Sequence, residues 1–309
     1  MPHAQLKKDA AKMGSAGTAR LLVLLLAFAW GFNWIATPFA LPEVPVWSVR
    51  FAGSGLGAVT LFVAALLTGH SLKVPRGEIV HVMVAGLLNV TGFQIFSALA
   101  QMDGATSRAV MIAYTMPIWA TLMSCALLGE RLTRIRLIAF ALCIAGISIL
   151  LWPLLTHGVP RFVIYSLGCA LVWAGATVYQ RWMKVTVAPL ANAAWQLVFG
   201  FLFIAAGTFI VEGYPHLWPI NTTPLLALIY IGVFGVGLAH FLWWSIVGRL
   251  PTITASIGSL LVPVVGVVGS TLILGERPTA SDIIGFVLIF CAAACVLLQP
   301  NVKHSEMPE

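Results

Sequence analysis

The sequence predicts an all-α polytopic membrane protein with ten transmembrane helices, arranged as two inverted five-helix repeats. Of its 309 residues, 60% are hydrophobic and 9% are charged, whereas ordinary soluble domains have about 25% charged residues. Apolar runs of roughly 20 residues recur along the whole chain, and each is long enough to cross the hydrocarbon core of a bilayer as a helix. In addition, Thr106–Leu151 recurs without a gap 146 residues later as Thr252–Leu297, with 13 of the 46 aligned positions identical.

Ten apolar runs follow one another along the chain, separated by short loops of roughly 4 to 12 residues that leave no room for a soluble domain. The first run lacks a convincing cleavage site and is interpreted as a retained helix. We expect residues 20–153 to form the first repeat and residues 161–299 the second, with tails at 1–19 and 300–309. The predicted spans are residues 20–41, 46–68, 79–100, 105–128, 135–153, 161–181, 189–211, 223–247, 252–274 and 281–299.

The basic residues predict how the chain is oriented in the membrane. The net charge is +7, but Lys and Arg are scattered through loops rather than clustered on one face, which argues against a nucleic-acid partner. With a cytoplasmic N-terminus, 13 of the 17 Lys and Arg residues lie on the cytoplasmic side, as the positive-inside rule requires. We therefore expect both termini to be cytoplasmic and the protein to be a multi-pass component of the cell membrane (the inner membrane in bacteria).

The internal repeat predicts that the second half is inverted. The identical positions include Pro117 and Pro263 and the run Leu-Gly-Glu-Arg at 128–131 and 274–277, which chance does not explain in an apolar chain. Because each copy has five spans, an odd number, the second copy enters the membrane from the opposite side. The loop that begins in the first copy of the run carries three Arg, and its counterpart carries one Arg and two acids. Inverted repeats are typical of secondary transporters, which alternate access to a substrate site near the midplane.

Several motifs together resemble one transporter family. They are the run Ala-Trp-Gly-Phe-Asn-Trp at residues 29–34, and Pro117 followed by Leu-Gly-Glu at 128–130, which recurs as Pro263 and 274–276. With ten spans, this pattern resembles the EamA-type branch of the drug/metabolite transporter superfamily over residues 20–299. Within that superfamily the chain looks most like bacterial amino acid exporters, including the aromatic amino acid exporters. The resemblance implies a ten-helix exporter of small metabolites.

Polar side chains in the middle of a span are costly, so they are candidates for function. A site shared by both halves should use paired positions, and the repeat pairs Gln94 with His240 and Arg50 with Gln196. Aromatic residues near these positions complete the set. The predicted substrate-binding residues are Trp30, Asn33, Gln94, Tyr114, Trp173, Gln196, His240 and Trp244.

Several of these residues also have a purely structural explanation. Trp244 fits the aromatic belt at a membrane interface, and Arg50 fits a side chain that snorkels or binds a carbonyl. Gln94 and Asn33 are equally consistent with interhelical hydrogen bonds worth about 1 kcal/mol each. His240 is equally consistent with a neutral residue in helix packing.

Two further repeated pairs carry structural predictions. Pro117 and Pro263 each remove a backbone donor inside a span, so each helix is expected to kink there. A kink in each half is a candidate hinge, although static shaping of a cavity would need the same residues. Glu130 and Glu276 fall at span ends beside Arg, and they are predicted to be caps or interfacial ion pairs rather than substrate ligands.

The absence of a mid-span carboxylate predicts the mechanism. No Asp or Glu lies in the middle of a predicted span, and ion-driven carriers usually keep one for the coupling ion. This favours a secondary transporter that exports amino acids or similar small metabolites by facilitated diffusion. The alternative is an exporter of aromatic or quaternary-cation drugs, coupled to protons through His240, whose imidazole is the plausible titrating group of the spans.

Other classes lack support in the sequence. The five Cys residues lie within apolar spans and are not spaced as metal ligands, so no metal or cofactor is expected. Neither His-Glu-x-x-His, Gly-x-Ser-x-Gly nor a phosphate-binding Gly-x-x-x-x-Gly-Lys loop occurs, which argues against an enzyme or an ATP-driven pump. Ten helices can enclose a complete pathway. The expected partners are therefore a small-molecule substrate and the lipid bilayer, and a monomer is sufficient.

Overall fold

The computed structural model describes residues 2–130, 132–153, 158–247 and 252–297, with side chains for all of these except 2–20, 244, 246–247 and 252–259. Within these ranges all regular secondary structure is helical. The helices are α1 (Pro2–Ala40), α2 (Val46–Leu67), α3 (Arg76–Asp103), α4 (Thr106–Leu128), α5 (Arg134–Leu151), α6 (Arg161–Trp182), α7 (Pro189–Val211), α8 (222–247), α9 (Thr252–Ile273) and α10 (Ala280–Leu297).

The described helices confirm an all-α polytopic membrane fold. Nine of them are long and apolar enough to cross a bilayer, and α9 contributes the apolar stretch Leu260–Ile273 over its described side chains. The helix ends agree with the predicted spans to within a few residues, with one difference. α1 begins at Pro2, so the predicted N-terminal tail is continuous with the first span.

Local sequence signals account for where the helices begin and end. α2 and α6 start directly after Pro45 and Pro160, and α7 starts at Pro189. Proline suits these positions because its missing N–H would have no partner in the first turn of a helix. α4 ends at Gly129, whose φ of 69° is the left-handed conformation that glycine adopts without strain.

Close backbone contacts hold the helices together. α5 and α10 cross at Gly146 and Gly285, where a Cβ on either glycine would lie 2.9 Å from the carbonyl oxygen of the other. α1 and α9 pack closely through a side chain, since a Cβ on Gly269 would lie 2.1 Å from the Ile35 side chain. In a bilayer, where lipid tails are as apolar as leucine, such small residues let helices associate through close packing.

Three helices are irregular, and all three border the same central space. α3 contains a π-helical segment at Leu87–Gly92, and α8 contains one at Tyr230–Leu238. Each begins eight residues after its α-helical start, at Ile79 and at Thr222. α4 is interrupted at residues 114–115 between two α-helical pieces.

Candidate substrate site

A cavity of about 530 Å³ lies between the two halves of the chain, bordered by α1, α3, α4, the start of α5, α6, α8, α9 and α10. This volume falls within the roughly 300–1,000 Å³ typical of small-molecule sites. At one end the cavity reaches Glu130, Arg136 and Arg181, and the Arg181 side chain is 56% exposed. The cavity is therefore accessible from this side of the molecule, which we call the Glu130 face. The opposite side, where α4 begins, is the Glu276 face.

Most of the predicted site residues meet in this cavity. Six of the predicted substrate-binding residues and both prolines line it. They are Trp30, Asn33, Gln94, Tyr114, Trp173, His240, Pro117 and Pro263. The side chain of Trp244 lies outside the described residues. Gln196 is the one described candidate that the structure places behind the wall.

The prolines affect their helices differently. α4 breaks at residues 114–115, directly before Pro117, and Trp119 Nε1 donates to Thr115 Oγ1 across the break (3.0 Å). Because Pro117 has no N–H, the carbonyl one turn earlier loses its helical partner, which permits the interruption but does not by itself cause it. α9 instead runs as one helix with Pro263 inside it.

Aromatic rings form one wall of the cavity. The Trp30 ring lies 5.9 Å from the His240 ring in an edge-to-face arrangement and 5.6 Å from the Trp243 ring, measured between centroids. One turn further along α1, Trp34 packs edge-to-face against Phe93 at 6.3 Å. These spacings are typical of aromatic pairs that stabilise each other. They give the cavity a fixed apolar surface that suits a flat or apolar substrate group.

Hydrogen-bond acceptors and donors lie near this aromatic wall. His240 Nδ1 lies 2.6 Å from the Val236 carbonyl, so a neutral ring donates from Nδ1 and keeps Nε2 as an acceptor. Asn33 Oδ1 is a second acceptor, buried without a partner among the described residues. Gln94 Oε1 accepts a hydrogen bond from Ser54 (3.1 Å), which leaves its amide hydrogens as donors. Sequence reasoning found these three residues.

The π-helical segments add lining residues that sequence reasoning missed. The segment in α3 contributes Asn89 and Val90, and the segment in α8 contributes Gly235 and Val236. A Cβ on Gly235 would lie 2.3 Å from Asn33 Oδ1, so the absence of a side chain lets α8 approach the asparagine. π-Helical segments recur at functional sites. The glycines around both segments were the signal available in the sequence.

Gln196 belongs to a buried network of amides behind Asn89. Asn89 Nδ2 donates to Gln196 Oε1 (3.1 Å), and Gln196 Nε2 donates to Asn192 (2.9 Å) and Gln180 (3.1 Å). The segment of α3 that carries Asn89 therefore lies between Gln196 and the cavity. Gln196 can position Asn89, but in this conformation it does not contact the substrate space.

Arg50 also lies outside the cavity lining. Its side chain is 1% exposed, and its guanidinium donates to Ser97 Oγ (3.2 Å) and Thr37 Oγ1 (3.5 Å). These contacts tie α2 to α1 and α3. They agree with the structural explanation of Arg50, except that the side chain is enclosed by protein instead of reaching the membrane interface.

Glu130 lies at the mouth of the cavity. The sequence predicted for it only a structural role, as a cap or an ion pair. Its carboxylate pairs with Arg181 (2.5 Å) and Arg136 (3.1 Å). Partial burial raises the pKa of the Glu130 carboxyl, but the hydrogen bonds and charges of the two arginines outweigh burial, and the net pKa is below its ordinary value. The predicted ion pair therefore exists, and it also forms part of the cavity wall.

Glu276, the repeat partner of Glu130, has a different environment. Its carboxylate accepts hydrogen bonds from the backbone N–H groups of Thr106 (2.5 Å) and Ser107 (3.0 Å), the first residues of α4. Beside it, Arg108 forms a two-point ion pair with Asp282 (2.7 and 2.9 Å). The predicted cap is thus present at Glu276. Together these contacts fasten the start of α4 to the α9–α10 loop at the Glu276 face.

Comparisons with known proteins agree with this picture. The EamA-like transporter family matches the chain twice, over residues 17–152 and 161–298. The "Uncharacterized transporter YvbV" of Bacillus subtilis is 26% identical over 281 residues, covering 89% of this chain and 90% of the relative. The "Probable amino-acid metabolite efflux pump" of Salmonella typhimurium is 27% identical over 286 residues, covering 87% and 91%. A solved structure titled "Crystal structure of protein" has a TM-score of 0.64 over 90% of this chain and 96% of its own at 23% identity, which shows a shared fold.

The apolar helices, the central cavity and the relatives define a multi-pass membrane transporter and not an enzyme. The double match identifies it further: the chain belongs to the EamA-like transporter family. The resemblance predicted from the Pro and Leu-Gly-Glu repeats is confirmed.

Proposed function

We propose that this protein exports amino acids or similar small metabolites by alternating access, as a facilitated-diffusion carrier. The observation that carries this proposal is the cavity itself, which combines hydrogen-bond acceptors, amide donors and an aromatic wall within one chain. A relative covering 87% of this chain is named a probable amino-acid metabolite efflux pump. The sequence repeat supports two inverted halves, and the distribution of Lys and Arg supports cytoplasmic termini with the Glu130 face inward.

The polar groups of the cavity suit a zwitterion. His240 Nε2 is an acceptor for an ammonium group. Asn33 lines the cavity beside it, but its Oδ1 atom is packed against Gly235 and has no partner among the described residues. The Gln94 amide can donate to the substrate carboxylate. The tryptophan wall is then left for the substrate side chain.

The charge of the cavity supports a carrier without proton coupling. Among the described residues that line it, Glu130 is the sole carboxylate. Its pKa is held low by Arg181 and Arg136, so it stays ionised and does not pick up and release protons near neutral pH. His240 remains as a titrating group, but a neutral imidazole already satisfies the Val236 carbonyl. Substrate can therefore move down its own gradient without an obligatory ion.

The aromatic wall favours one rival substrate class. Trp30 and Trp243 could bind a quaternary cation through cation–π contacts worth about 0.5–2 kcal/mol. Such a cation would have no free carboxylate in the described lining, because Glu130 is already paired with two arginines. Export of aromatic or quaternary-cation drugs, with proton coupling through His240, is therefore the second candidate function.

Counterflow in proteoliposomes separates the candidates. Purified protein is reconstituted into liposomes preloaded with unlabelled amino acids and placed in labelled threonine, methionine or phenylalanine, with no ion gradient. The proposal predicts transient accumulation of label. No accumulation, with movement of a quaternary cation or movement only under a pH gradient, would contradict it and favour the second candidate.

A further inference from the structure

The charged side chains of the cavity gather at one end. Within the described lining they are Glu130, Arg136 in the first turn of α5, and Arg181 in the last turn of α6. Deeper in the cavity, and apart from the His240 imidazole, the described lining is aromatic, aliphatic or uncharged polar. We call the three charged residues the charged mouth. Its two guanidinium groups and one carboxylate leave a net charge of +1.

The geometry of the charged mouth makes this excess of positive charge permanent. Glu130 Oε1 accepts from Arg181 (2.5 Å), and Oε2 accepts from Arg136 (3.1 Å). Two cations this close keep the carboxylate ionised near neutral pH. A single carboxylate still balances only one of the two guanidinium groups. The charged mouth therefore stays positive over the physiological pH range.

Arg181 is the more accessible of the two arginines. Its side chain is 56% exposed, compared with 24% for Arg136. Its Nη2 donates to Glu130 and its Nη1 to Ser124 Oγ (3.4 Å), while its Nε–H has no described partner. A guanidinium has five N–H donors in a planar arrangement that matches a carboxylate. Arg181 therefore keeps donors for a solute carboxylate at the entrance.

An apolar helix forms another part of the entrance. α10 begins beside the α9–α10 loop at the Glu276 face and ends with Leu297, so its last turns lie at the Glu130 face. These turns add Ala293, Val296 and Leu297 to the lining. A cleft that carries charge of one sign between walls of low dielectric constant focuses the electric field on solutes that enter it. The positive charge therefore acts more strongly here than it would on an open surface.

We propose that the charged mouth is a charge filter, which admits solutes that carry a carboxylate and disfavours cations. Arg181 receives the carboxylate, and Glu130 limits that attraction by occupying part of the same guanidinium, so that the solute passes on instead of staying bound. This inference rests on transport through the cavity, as proposed above. It narrows the substrate class to zwitterionic and anionic metabolites, at the expense of quaternary cations.

Thiol reagents of opposite charge test the filter directly. A cysteine-free background carries Thr121→Cys, a lining position one turn before Ser124, which Arg181 contacts. The protein is placed in nanodiscs, and its rates of reaction with an anionic (sulfonatoethyl) and a cationic (trimethylammonioethyl) methanethiosulfonate are measured. The charge ratio is the anionic rate divided by the cationic rate. Both reagents attack the same thiolate, so a change in its pKa cancels from this ratio.

The variants of the charged mouth should shift the charge ratio in opposite directions. Arg181→Gln should lower it by about threefold, and Glu130→Gln should raise it by about threefold, because each removes one unit charge from the focused field. Arg181→Lys keeps the charge and should keep the ratio. Both shifts should shrink in about 1 M salt, where the screening length falls to about 3 Å.

Arg134→Gln is the matched control, since Arg134 is exposed at the start of α5 on the same face but lies outside the lining. Its charge ratio should not change. A variant that merely loosens the fold speeds both reagents and leaves the ratio constant. The filter proposal is wrong if Arg181→Gln behaves like Arg134→Gln, or if the Arg181 and Glu130 variants shift the ratio in the same direction. Failure of amino-acid counterflow would not affect these ratios, so the two proposals fail separately.

Discussion

Gly86 is predicted to be one of the least replaceable positions in the fold. A Cβ added there would lie 2.8 Å from the Gln196 carbonyl oxygen and 3.3 Å from the Gly200 nitrogen. Both neighbours are backbone atoms, so α3 and α7 must move apart by a few tenths of an ångström. Overpacking of this kind costs about 1–3 kcal/mol. At about 2–4 °C per kcal/mol, Gly86→Ala should lower the melting temperature by about 2–12 °C.

Gly175 provides the matched control for this prediction. It also lies within a helix, α6, but a Cβ there would have no heavy atom within 4 Å. The same glycine-to-alanine change should therefore cause no loss of stability. The assay is thermal unfolding of both purified variants in one detergent, followed by intrinsic fluorescence. Equal melting temperatures for the two variants, or a lower one for Gly175→Ala, would refute the packing argument.

Three further predictions concern transport, pH and the buried arginine. Gln94→Leu should raise the KM for amino-acid efflux by about tenfold through loss of a substrate hydrogen bond. Gln101→Leu on the same helix, whose described hydrogen bond goes to the Ser97 carbonyl, should leave KM unchanged. Equal effects on KM would contradict the assigned lining. Because the pKa of Glu130 is lowered, its ion pairs persist at any pH above that pKa and are lost only as the pH falls through it. Efflux should therefore show no Glu130-dependent change between pH 8 and pH 5. A step in efflux within that window, absent in Glu130→Gln, would overturn the assignment. Arg50→Met should fold and melt within a few degrees of the parent, because the partners of Arg50 among the described residues are hydroxyls and not carboxylates, and an apolar side chain in place of a buried charge is often neutral. A collapse in yield would show that the contacts of Arg50 are essential to the fold.

The fold was largely predictable from the sequence because the bilayer imposes a simple rule. A helix must satisfy its own backbone within the hydrocarbon, so apolar runs of sufficient length identify the spans directly. The family also followed from sequence, since Pro117, Pro263 and the two Leu-Gly-Glu runs stand out in an apolar chain. What periodicity could not show was that α3 and α8 change to π-helix, because that change depends on how neighbouring helices pack against their glycines.

The candidate site was predicted in part for a similar reason. Trp30, Gln94 and His240 lie mid-span, and a costly mid-span position is visible in the sequence. Gln196 also lies mid-span, yet its amide donates hydrogen bonds to other amides behind the cavity lining. Glu130 was missed as a lining residue because identical motifs acquire different partners in the two halves. Those partners come from other helices, so the amino-acid sequence around each motif does not reveal them.

Substrate protection of a cysteine in the cavity would test the central claim most directly. Thr121→Cys lines the cavity on α4, and a variant that keeps only the native Cys125, four residues further along the same helix and outside the lining, is its control. An impermeant maleimide applied from the Glu130 face should label Thr121→Cys, and a transported amino acid should slow that labelling in a saturable way without affecting Cys125. Labelling of Thr121→Cys that no amino acid slows, or equal slowing at Cys125, would show that this cavity is not the substrate site.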